Sequence, residues 1–291
     1  SSPGALFNEQ RQAAMYMNHN YGVPVIGWMH EIEKLNFDDA IAFYKLHYAP
    51  NNAILVVAGD VTLEQVKALA EQYYGVIPAN QSVKPRQRTQ EPSHRSARRM
   101  TYYDERVAQP YVSRTYLAPE RDNDDQKTAA ALVYLAEILG GSAATSILGK
   151  ALQFDTQKAV YTSAYYSGTS LDDTTFGLIA VPVPDVSLQE VEDAMDAAIA
   201  GFMKSGINLE TFERIKLQMR ASEIYAMDNV QGIANRYGAA LTQGLTISDV
   251  QDWPQVLQDV TAEDIMAAAH LVFDRKASVT GWLMGLKGDS K

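Results

Sequence analysis

At 291 residues and 32.1 kDa the chain has room for about two domains. Its composition, 46% hydrophobic and 21% charged, is that of an ordinary globular protein, and a net charge of −10 argues against nucleic acid as the main partner. No window approaches the ~18 uncharged apolar residues of a membrane span, and the absence of cysteine removes disulfides, thiolate metal sites and a Cys nucleophile while fitting periplasm and cytosol alike.

Residues 5–18 read as a helix with Leu6, Gln10, Ala13 and Met17 on one side. Gly22, Pro24 and Gly27 then dictate an irregular extended path. Asn36 and Asp39 form a variant of the capping box, Ile41, Tyr44 and Tyr48 follow at helical spacing, and Ala49-Pro50 closes that helix. Ala53–Ala58 is an unbroken apolar run too short for a helix, so a strand covered on both faces is expected. Thr62 and Gln65 cap a further helix with Val66, Leu69 and Tyr73 as its stripe and Gly75 at its end.

Residues 79–99 are polar, with six Lys or Arg against the single acid Glu91, and read as a solvated interdomain linker. Strands are expected around Met100–Val107 and Tyr111–Leu117, then a helix from Asp124 to Leu139 with Ala131, Tyr134, Leu135 and Ile138 inward. A short helical piece from Ser142 to Gln153 leads to a hairpin of 159–168 and 174–182, turning at Leu171-Asp172-Asp173. Ser187 and Glu190 cap a helix carrying Val191, Met195, Ile199 and Phe202, and Asn208 caps a long one through Tyr225. Thr261 with Asp264 opens the last helix, before a terminal strand. The layering is α+β: helices over one face of a mostly antiparallel sheet.

Sliding the sequence by 225 positions lays Asp39 on Asp264, Leu46 on Leu271, Tyr48 on Phe273 and Ile54 on Val279. The same offset pairs Arg11 with Arg236 and Ala14 with Ala239. Two segments agreeing on one ungapped offset favour a duplication. Residue 1 then falls near Tyr225 of the second copy, and the first copy lacks a counterpart to the opening ~120 residues of the second. The expected organisation is the C-terminal part of a first domain over 1–78, a linker over 79–99 and a complete second domain over 100–291.

Chemistry is hard to find in the residues themselves. None of His19, His30, His47, His94 and His270 completes HExxH or HxxEH; the nearest miss, His30-Glu31, has Lys34 where the second His belongs. There is no GxSxG elbow, and Gly140-Gly141 follows a helix where a nucleotide loop would open one. The acid pairs Asp38-Asp39, Asp124-Asp125 and Asp172-Asp173 read as caps or turns. No catalytic set is visible.

The run PVIGWMHEIEKLNFDDAIAFYKLHYAPNNAILVVAGDV closely resembles the pitrilysin/insulinase family of zinc metallopeptidases, which includes the mitochondrial processing peptidase. The matching blocks are Pro24–Gly27, Tyr48–Asn52 and Val56–Asp60, followed by Leu139-Gly140-Gly141, the Gly206 turn, the start at Val260 and the closing VTGWL strand. The resemblance implies two homologous α+β domains closing like a clamshell on an unfolded peptide, here with a duplicated antiparallel sheet, helices on one face and a truncated first domain. It places zinc on an HxxEH helix and a distal Glu in the first half of the first domain. Zinc is therefore expected in the parent protein and not on this chain, which lacks the motif and should be inactive alone; no catalytic or metal residue carries over.

The second domain of the family supplies a substrate-holding Arg and Tyr in a Leu-Arg-x5-Ala-Tyr type of run. Aligned here, Gln153 stands at the Arg position and Val160 at the Tyr position, with Tyr161 one residue away. That departure puts substrate holding by these positions in doubt. The resemblance further implies a peptide substrate extending the sheet edge, and a partner subunit or homo-oligomer, with neither nucleic acid nor membrane involved. The alternative is a non-catalytic family subunit serving peptide holding or complex assembly. A truncated first domain would also leave apolar surface and strand edges uncovered.

Overall fold

A computed structural model describes residues 2–285. The first unit contributes four helices, α1 (Pro3–Met15), α2 (Met29–Ile32), α3 (Phe37–His47) and α4 (Leu63–Tyr73). Both expected capping boxes are present: Asn36 accepts from Asp39 N–H, and Thr62 from Gln65 N–H. The expected strand at 53–58 is not. That run is extended but unpaired, with Ile54, Leu55 and Val57 each about half exposed. A strand needs ladder partners on its edges, and the described residues offer it none. For the same reason α3 and α4 bury no residue, and Tyr44, Tyr48, Leu69 and Tyr73 stand exposed where inward stripes are expected.

Residues 98–284 form a layered structure. Its strands β1 (Arg98–Tyr103), β2 (Tyr111–Ala118), β3 (Ala159–Tyr166), β4 (Thr174–Pro182) and β5 (Ser278–Met284) form one sheet in the order β1-β5-β2-β4-β3. All its pairings are antiparallel except β1 with β5. Between the strands run α5 (Gln126–Gly140), a π-helical turn (Gly149–Asp155), α6 (Leu188–Ser205), α7 (Leu209–Ala226), α8 (Val230–Thr242), α9 (Ile247–Asp259) and α10 (Ala262–Val272). The α5 residues expected inward are all buried, as are the four named for α6. Gly206 ends α6 at φ +74°, a conformation that a side chain would strain. The helix α9 has no counterpart among the expected elements: Pro254 lies in its interior and reads locally as a break.

One face of the sheet carries the main core. Val112, Tyr116, Phe176, Leu178 and Ala180 meet Leu132, Leu135, Val191, Met195 and Ile265 there, all nearly inaccessible. The other face is not bare. Helix α1 lies across β1, β5 and β2, with Phe7 and Met15 buried against it. The side of α1 that meets the sheet thus carries buried Phe7 and Met15 with partly buried Arg11 between them, and is not the expected Leu6–Met17 face; Met17 is 53% exposed. Phe7 reaches the sheet because β5 has glycine there: a Cβ at Gly281 would come within 2.5 Å of Phe7 Cζ.

Within the main core stands an ionic network. Arg114 of β2 is fully buried, donates to Thr280 Oγ1 at 2.9 Å and to Glu192 Oε1 at 2.6 Å, and also pairs with Asp196. Glu192 further accepts from Arg99 and from Trp282 Nε1 at 2.8 Å, while Arg275 holds the other side of Asp196. Burial alone would raise the Glu192 carboxyl, but the bonds from Arg99 and Trp282 and the charge of Arg114 outweigh it and hold it below its ordinary range. Removing one partner of such a set leaves a buried charge uncompensated. Glu192→Gln should therefore lower unfolding free energy by about 3 kcal/mol in urea titration, whereas Arg275→Ala, at the half-exposed rim, should cost under about 1 kcal/mol.

Candidate functional site beneath the first helix

The face of the sheet that α1 leaves uncovered is built by residue alternation on β4 and β3. Thr175, Gly177, Ile179, Ser163 and Tyr165 point to it, by their pairing opposite the core-facing positions, while Thr115 of β2 lies buried under Arg11. The Tyr165 ring lies over Gly177, where a Cβ would collide with it. Between this strip and α1 opens a cavity of about 340 Å³, lined among others by Arg11, Tyr16, Tyr21, Thr115, Ser170 and Thr175.

The wall of that cavity is fixed by the turn after α1. Tyr16, His19 and Tyr21 pack ring against ring. His19 Nδ1 accepts from Tyr21 N–H, which leaves Nε2 to donate to Asp172 at 3.2 Å on the β3–β4 hairpin. Arg88 pairs with the same Asp172 at 2.9 Å. The Tyr21 hydroxyl accepts from both Ser170 Oγ and Leu171 N–H.

The stretch 79–97 carries no regular secondary structure, yet it is tied to this turn. Glu91 accepts from three successive backbone N–H groups, Met17 at 2.7 Å, Asn18 at 3.0 Å and His19 at 2.9 Å, and from His94 Nε2 at 2.7 Å. Burial works to raise the Glu91 carboxyl, and the four hydrogen bonds outweigh it and pull it down to about 2. The single acid of a basic stretch is the signal that sequence reading had and did not use. Arg98 at the start of β1 donates to the carbonyls of Ala14 and Met15, closing the helix C-terminus.

The three residues singled out from the family run lie at the other margin of the sheet. Gln153 sits in the π-helical turn and donates to Thr162 Oγ1 at 2.8 Å. Val160 and Tyr161 are about half exposed on the edge strand β3. The register skips there: Ala159 pairs with Pro182 and Tyr161 with Val181, so Val160 is the extra residue of a bulge. Tyr161 shares the open face with Ser163 and Tyr165, and Gln153 is held against a core-facing threonine.

The histidines do not fit a zinc centre. His19 and His94 are each engaged by one carboxylate, and no group of three His, Asp or Glu among the described residues could hold a metal ion.

Comparison with known proteins agrees with this architecture. Residues 34–219 match the family model described as "Peptidase M16 inactive domain", and the chain belongs to that family. It is 24% identical over 270 residues to a protein named zinc protease PqqE from Helicobacter pylori, and 23% identical over 290 residues to a probable mitochondrial-processing peptidase subunit beta from Schizosaccharomyces pombe. Each match covers 92% of this chain and 59% of the relative, so the chain spans about three-fifths of their length. The crystal structure of a protease from Helicobacter pylori superposes with a TM-score of 0.89 at 23% identity, over 97% of this chain and 67% of that one. The α+β fold and the zinc-peptidase family expected from the resemblance are both upheld.

The Glu91 clasp makes a pH-dependent contribution with a definite sign. Its folded carboxyl lies at about 2 against an ordinary 4.5, so the stabilisation is complete above about 4.5 and is lost as pH falls toward 2. Thermal melts of the native chain should fall through that window, and Glu91→Gln, less stable by about 2 kcal/mol at neutral pH, should show a shallower acid limb.

Proposed function

We propose that this chain is the substrate-enclosing part of a two-domain zinc metallopeptidase, holding an unfolded peptide while the metal chemistry belongs to residues outside it. The observation that carries the proposal is the uncovered strip of sheet between α1 and the β3 edge. An α+β sheet ordinarily buries both faces or presents polar side chains on one. Here the strip presents Tyr161, Ser163, Tyr165 and Ile179 beside a cavity, a mixed surface suited to an extended chain of varied sequence.

Zinc, on this reading, serves the whole protein and is not bound by this chain. Of the family positions, Tyr161 is the one placed to touch a peptide; Gln153 acts by supporting β3. The exposed apolar side chains of 37–77, Phe43, Tyr44, Leu55, Val57 and Tyr73 among them, are the surface by which a partner unit is met. The repeat says what such a unit supplies, since the matching α10 and β5 are buried by α5, β1 and β2 in the second copy.

A dye-labelled unfolded peptide should bind the chain, as read by fluorescence anisotropy, and mass spectrometry should show no cleavage. Ser163→Trp, filling the strip, should weaken binding about tenfold, roughly the worth of one good contact. A folded Ser163→Trp variant that binds as tightly as the native chain would remove the strip from the reading.

A further inference from the structure

Six arginines of the described chain, Arg88, Arg99, Arg106, Arg114, Arg236 and Arg275, are paired with a carboxylate. Arg11 differs. It projects from the buried stripe of α1 into the 340 Å³ cavity, and its guanidinium bonds go only to neutral oxygens, Thr115 Oγ1 and Asn8 Oδ1. Its Nε is buried and has no acceptor among the described residues. A guanidinium held this way retains strong donors with nothing negative to receive them.

The rest of the lining adds donors. Tyr21 OH already accepts from Ser170 Oγ and from Leu171 N–H, so its own proton remains to be given. Thr174 and Thr175 add hydroxyls, and Gln243 an amide. The donor surplus calls for an acceptor-rich anion. One planar fork, with no second cation in the lining, matches a monoanionic carboxylate better than a doubly charged phosphate, which the −10 net charge of the chain would also repel.

We propose that the cavity under α1 is a carboxylate subsite, in which Arg11 and Tyr21 receive a carboxylate borne by an extended peptide lying on the open strip. This rests on the peptide-enclosure reading above. The carboxylate comes from the peptide's own C-terminus or from an Asp or Glu side chain; the chemistry is the same.

The test uses the 291-residue chain and four peptides of one unstructured sequence, at low ionic strength, by anisotropy. One pair differs only in a free or amidated C-terminus. The other pair, both amidated, differs by one internal Glu or Gln. At least one acidic member should bind about tenfold more tightly than its neutral twin, and which pair responds identifies the source. Arg11→Met should collapse that ratio toward one, Arg11→Lys should leave an intermediate ratio, and Lys204→Gln, on α6 across the sheet, should leave it whole. If all four peptides bind alike, the subsite is wrong and enclosure stands. If none binds, enclosure fails, and thermal melts in propionate against chloride of equal ionic strength decide the subsite. A rise that Arg11→Met abolishes supports it; no Arg11-dependent rise overturns it.

Discussion

β5 lies between β1 and β2, and among the described residues β1 has no other partner in the sheet. A strand buried on both faces must also have both edges paired, because backbone N–H and C=O groups left in an apolar core cost about as much as lost hydrogen bonds. The final seven-residue strand of the chain is therefore what joins β1, at position 98, to everything that follows. The segment 53–58 has the same apolar character and sits at the corresponding point of the first copy, yet it remains single and exposed. Composition made both candidates; neighbours made one of them a strand.

The polar groups obey the same rule. Arg114 lies in the middle of β2 with its side chain shielded from solvent, so its charge is tolerated because Glu192, Asp196 and Thr280 converge on it from α6 and β5. The network thereby marks one register of β5 against β2, since Arg114 pairs across the sheet with Thr280. On the far side, Glu91 treats the turn after α1 as a concave nest of backbone donors. One acid inside the core and one in an irregular stretch fasten, respectively, the helices and the crossing helix to a single sheet.

What was legible in the sequence was local. Caps such as Ser187 with Glu190 and Thr261 with Asp264 act across three residues, and the structure has them as read. The stripes of α5 and α6 were legible because their partners surround them. The face of α1 was not, because Phe7 is buried by a glycine 274 positions away. Nor was the role of Arg114, whose acid is 78 residues distant. At the candidate site, the family run pointed to Gln153, Val160 and Tyr161 beside the β3 edge, and its one-residue ambiguity falls where the register of β3 shifts. Arg11 and Tyr21 carried no motif at all; they are joined to the β2 and hairpin residues by folding alone.

The duplication expected from the 225-residue offset, taken as a proposal, would also account for the cavity. Helix α1 belongs by sequence to the first unit and lies on the sheet of the second, with Phe7 over Gly281. Its counterpart α8 belongs to the second unit, and Gly238 on it stands against Val56 of the first, where a Cβ would lie 4.0 Å from Val56 Cγ2. The 225-residue offset carries Val56 onto Gly281, so the two helices face matching positions of the sequence, one in the strand β5 and one in the unpaired run 53–58. The large and small partners are reversed, a big helix residue on a strand glycine in one place and a helix glycine near a valine of the unpaired run in the other. Such a reciprocal exchange is complementary in shape without being identical in sequence, which is how two copies can diverge and keep their fit. It follows that the cavity has walls from both units: Arg11 and Tyr21 from the first, Thr115, Ser170 and Gln243 from the second.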